Sequence, residues 1–123
     1  MAANIFRIQH AQEYVCHVHR YYSGLSRLYV RAFKGRAPEP AFYLLFSDVS
    51  YFEGPLNWQG AGFRKAAAAD CHALMQRAGL LDNVPREMLP TLLEVTHLYL
   101  LDSAPLRIVA GHAVRLTQIP PEL

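Results

Sequence analysis

Residues 13–21 and 25–33 are rich in Tyr and Val, alternate in side-chain character, and flank Tyr22, Ser23 and Gly24. Two such runs joined by a short glycine-containing link specify a β-hairpin. Gly24 suits the left-handed position that closes a three-residue loop and forms a bulge. That loop sets Val18 opposite Leu28 and Cys16 opposite Val30, on the face that also carries Ala32. The other face then carries His17, His19, Tyr21, Arg27, Tyr29 and Arg31. A two-residue loop would mix these sets, because a one-residue slip exchanges the faces, so the longer loop is the consistent reading.

A chain committed to this hairpin needs further strands to cover its apolar face, and the remaining sequence supplies them. Residues 35–40, with Pro38 and Pro40, read as a loop, and residues 41–47 as an apolar, central strand. Residues 49–52 continue extended after a turn or bulge at Asp48, and Gly54-Pro55 closes them. Residues 56–62 hold too much glycine for a helix and lead into a short strand at 63–65. In residues 67–78 the spacing of Cys71, Leu74, Met75 and Ala78 predicts a helix with one buried stripe, capped by Gly79. Pro85 opens a helical turn over 85–89 that Pro90 keeps short. Residues 94–101 and 106–116 form a second hairpin, in which Leu106, Ile108, Ala110, Val114 and Leu116 share a face with His112. Residues 119–123, with two prolines, read as irregular. Hairpins joined by one main helix describe an α+β fold with a mostly antiparallel sheet and the helix packed on one face.

Length and composition bound the rest. The 123 residues fit one compact domain, 1–123, and a hydrophobic fraction of 52% against 18% charged excludes disorder. The longest apolar runs are too short for a membrane span, and residues 1–10 lack the features of a secretory signal. Cys16 and Cys71 are too few for a disulfide framework, so a reduced, cytoplasmic setting is expected. The net charge of +2 argues against nucleic acid. All cationic residues except Lys34 and Lys65 are Arg, the cation favoured in interfaces.

Chemistry-bearing clusters are sparse. His17 and His19 lie on one side of a strand but lack a third ligand, so no metal site is expected. Each cysteine has a histidine beside it in sequence, yet neighbours diverge in direction on a strand or a helix, so neither pair makes a nucleophile and its base. The carboxylates are scattered, and neither a catalytic set nor a cofactor motif emerges. The densest stretch is 51–60, where Tyr51, Glu53, Asn57, Trp58 and Gln59 offer a ligand or interface site, with Trp58 either forming a wall or plugging the core. His112 and His97 read as core histidines.

These features point away from an enzyme and towards a protein-interaction or self-associating module, with a homodimer or another protein as partner. The sheet face of His17, His19, Tyr21, Arg27, Tyr29 and Arg31 is its expected contact surface. A small-molecule site around 51–60, with His97 or a hairpin histidine titrating, is the alternative. Single-stranded nucleic acid on the same sheet face is a weaker one.

Overall fold

The computed structural model describes residues 4–118; the tail at 119–123 lies outside them. Among the described residues, nine strands form two antiparallel sheets and two α-helices cover one of them, an α+β fold. The strands are β1 (Tyr14–Tyr22), β2 (Arg27–Lys34), β3 (Phe42–Ser47), β4 (Tyr51–Glu53), β5 (Asn57–Gln59), β6 (Arg64–Lys65), β7 (His97–Leu100), β8 (Arg107–Ala110) and β9 (His112–Leu116). One sheet runs β5-β1-β2-β3-β9 and the other β4-β8-β7-β6.

The hairpin forms, but its register differs from expectation by two residues. Cys16 faces Ala32 and Val18 faces Val30. An even shift preserves the faces, so Cys16, Leu28, Val30 and Ala32 are all buried. Residues 23–26 make the loop, and its left-handed residue is Ser26 (φ 49°) rather than Gly24. Ser26 is fixed from outside, because its carbonyl accepts the Val49 amide at 2.9 Å. A bulge between Val18 and Arg20 leaves His19 unpaired. The extra residue inverts the alternation beyond it. Tyr21 therefore stands opposite Leu28 on the inward side, not with His17 and Arg31 as expected.

The two sheets pack face to face over one core. Cys16, Val30, Leu44 and Phe46 from the five-stranded sheet meet Tyr99, Ile108 and Ala110 from the four-stranded sheet. Phe6 and Ile8, which the hairpin pattern does not reach, close this core, with Phe6 edge-on to Phe46 and Phe63. Helix α1 (Ala68–Arg77) covers the other side of the four-stranded sheet, laying Cys71, Leu74 and Met75 on Leu98 and Val109. Gly79 (φ +79°) ends it as expected: the Gly79 amide donates to Gln76 and the Leu80 amide to Met75.

Three further expectations change. Helix α2 (Leu89–Val95) runs through Pro90 and takes in Glu94 and Val95, so the following strand starts at His97. Pro90 lies in the first turn, where no amide is required. Residues 56–62 contain the edge strand β5, paired with β1. Residues 106–116 are two strands, because the chain crosses at Gly111 from one sheet to the other. That crossing changes the phase, so Ala113 meets the core while His112 and Val114 are exposed. His112 is thus not a core residue.

Candidate functional site

Helices cover the four-stranded sheet, whereas no described element covers the outer face of the five-stranded one. The register lays out that face in rows. Asn57, His17, Arg31, Tyr43 and Leu116 stand side by side, as do Arg20, Tyr29, Leu45 and Val114. Gln59, Val15 and Phe33 form a third row, and Tyr22, beside Arg27, begins a fourth. None of these outward positions holds Asp or Glu. Val15, Phe33, Tyr43, Leu45 and Leu116 are half-buried, and Val114 is 43% exposed.

Arg31 lies near the middle of this face. Its stem rests among side chains of the neighbouring strands, and its guanidinium carbon lies 5.6 Å from the centre of the Phe33 ring. The Nε atom is buried and has no hydrogen-bond partner. His17, directly across the ladder, stands edge-on to Phe33 at 5.3 Å. A shallow hollow of about 240 Å³ opens between Val15, His17, Arg31, Phe33 and Arg36. Burial, then the charges of Arg31 and Arg20, hold His19 below the ordinary histidine pKa. The face therefore presents an apolar and aromatic ground with positive charge at its centre.

Of the expected sheet-face residues, the fold brings together His17, His19, Arg27, Tyr29 and Arg31. Tyr29 is only 3% exposed, packed edge-on to Tyr22 at 6.1 Å, and so supports the face from below. Tyr21 turns away and, 48% exposed, borders a separate hollow with Tyr51 and Phe52. Val15, Phe33, Tyr43, Leu45 and Leu116 were not singled out by sequence. For all but Leu116 the signal was present, since each neighbours a buried residue, but only the pairing of β2, β3 and β9 shows that they share a face.

The 51–60 set is divided between the two sheets. Tyr51 and Glu53 lie on β4, whereas Asn57, Trp58 and Gln59 lie on β5. Trp58 is 6% exposed and its indole Nε1 donates to the Gly60 carbonyl at 3.0 Å, so the ring plugs the core. Glu53 is engaged by its neighbours: Tyr51 Oη donates to it at 2.8 Å and Arg107 at 3.0 Å. The Tyr51 hydrogen bond foremost, with the charges of Arg107 and Arg77, keeps this carboxylate ionised below its ordinary range. Gln59 donates to the Gln12 carbonyl at 2.6 Å. These are structural engagements within the fold.

Neither thiol is activated. Burial pushes Cys16 up to about 12, and its S–H points to the Gly60 carbonyl at 3.5 Å. Cys71 is also raised by burial. Among the described residues, no group of three or more His, Cys, Asp or Glu is placed to hold a metal ion, and no helix is long and apolar enough to cross a membrane. Comparison with protein-family models, curated proteins and solved structures gives no match.

Proposed function

We propose that this protein is a non-enzymatic interaction module that takes an acidic segment of a partner protein onto the outer face of its five-stranded sheet. The observation that carries this reading is Arg31, whose buried Nε lacks an acceptor at the centre of an uncovered apolar face. Arg pairs with carboxylates through two parallel hydrogen bonds, and apolar surroundings strengthen such a pair. Phe33 and Tyr43 beside it supply the aromatic area typical of interface anchors.

Charge favours a different protein over a second copy. Face-to-face pairing of two copies gathers both sets of Arg27 and Arg31 into one interface, with no carboxylate in the outward rows to relieve them. Five strands about 4.8 Å apart, with roughly six residues each, give a footprint on the order of 500 Å². A planar patch of this size suits an extended segment laid across the strands. The aliphatic residues Val15, Leu45, Val114 and Leu116 offer little to nucleic-acid bases or phosphates.

Selection of displayed random peptides on the wild-type protein, with counter-selection on Arg31→Glu, tests the proposal. Enriched peptides are expected to carry Asp or Glu flanked by apolar residues, and to bind Arg31→Glu at least tenfold more weakly. Three outcomes overturn it: no enrichment against Arg31→Glu, a concentration-dependent homodimer by light scattering that Leu45→Glu abolishes, or salt-sensitive retention of single-stranded DNA.

A further inference from the structure

A second site, apart from the sheet face, lies where the chain passes twice between the sheets. Asp48, after β3, and Gly111, between β8 and β9, make these crossings side by side. The Gly111 amide donates to the Ser47 carbonyl at 2.9 Å. A side chain at Gly111 would begin only 3.1 Å from Asp48 Oδ2, so the missing Cβ leaves room for this carboxylate.

Beside the crossing is a cavity of about 730 Å³. Its apolar wall is Met75, Leu80, Val84, Leu92 and Val95, from α1, α2 and the segment between them. A further hollow of about 370 Å³ shares Val84, Leu92 and Val95 and extends the apolar track to Met88. Val95 is 60% exposed although it lies on this wall, so the track is open to a ligand. Size and lining match small-molecule pockets, which combine apolar walls with a few placed polar groups.

The polar groups choose the ligand. Asp48 and Glu94 stand at the cavity, and among the described residues neither has an ion pair or side-chain hydrogen bond. No described Lys or Arg lines either hollow. Two histidines also line the cavity, His112 and His97, and burial, then Lys65 and His112, keep His97 towards its neutral form. Lys65 and Arg7 line an adjoining hollow that shares His97, Gly111 and His112 with this cavity.

We infer that this cavity binds a small amphipathic amine, its apolar body along Leu92 and Val95 and its ammonium between Asp48 and Glu94. The negative rim and the apolar wall select against a carboxylate of the same shape and favour the amine over the uncharged alcohol.

Three probes that differ only in the head group test this: 4-phenylbutylamine, 4-phenylbutan-1-ol and 4-phenylbutyrate, titrated against the ¹⁵N-labelled protein at pH 7. The amine is expected to bind at least tenfold more tightly than the acid and to shift the amides of Leu92, Val95, Thr96 and Gly111. Asp48→Asn with Glu94→Gln is expected to remove the head-group preference while leaving the spectrum folded. Asn tolerates the left-handed backbone of residue 48 (φ 55°). Val95→Lys, at an exposed position, is expected to weaken the amine at least tenfold, and Arg31→Glu to leave it unchanged. Equal or tighter binding of the acid, shifts elsewhere in the molecule, or an amine affinity indifferent to the double variant would overturn the inference.

Discussion

Arg31 holds a buried, unsatisfied donor near the middle of the uncovered sheet face. A buried donor without an acceptor costs about 1–3 kcal/mol relative to a satisfied one. Arg31→Met keeps the apolar stem and removes the donor, so it is expected to raise the free energy of unfolding by about 1 kcal/mol in urea denaturation. A loss of similar size would make Arg31 a structural residue. The histidines make a second residue-level prediction. His19 and His97 both sit below the ordinary 6.5 in the folded protein, chiefly through burial. Below about pH 6.5 the unfolded chain binds more protons than the folded one, so stability falls as the pH drops. The melting temperature is expected to decline between pH 7 and pH 5, and to decline less in the His19→Gln, His97→Gln double variant. An identical slope in both proteins would contradict these shifts.

At the scale of elements, β5 shows what a short strand can hold in place. Trp58 reaches the core from an edge strand of three residues, its ring edge-on to Phe63 at 6.2 Å. Trp58→Ala is expected to cost about 3–5 kcal/mol, read from the denaturation midpoint. A cost below about 1 kcal/mol would mean that the ring is dispensable to packing. Residues 42–47 and 68–77 were legible in the sequence because apolar periodicity acts over a full element. So was the inward set Cys16, Leu28, Val30 and Ala32, since an even register error leaves faces unchanged. The bulge at His19 and the phase change at Gly111 were not legible. Each lies beside a contact made from elsewhere in the chain: the Val18 amide with the carbonyl of Leu56, and the Gly111 amide with that of Ser47. Asn57–Gln59 was hidden by glycines that permit the turns around a strand only three residues long.

At the scale of the whole molecule, the two sheets are covered unequally. The four-stranded sheet lies between the core and the helices, whereas the five-stranded sheet has the core on one side only. The sequence named five residues that help build its outer face: His17, His19, Arg27, Tyr29 and Arg31. It did not reveal the apolar ground around them, because that ground is assembled from β1, β2, β3 and β9 across more than a hundred residues of chain. The cavity at the double crossing was hidden for the same reason, since Asp48, Glu94 and Gly111 meet only after both sheets are in place. A charge-swap titration tests the central claim most directly, pairing a selected Glu-containing peptide and its Glu→Lys counterpart with the wild-type protein and with Arg31→Glu. The account predicts that the wild type prefers the Glu peptide at least tenfold and that Arg31→Glu reverses the preference. Two peptides bound alike by both proteins would contradict it.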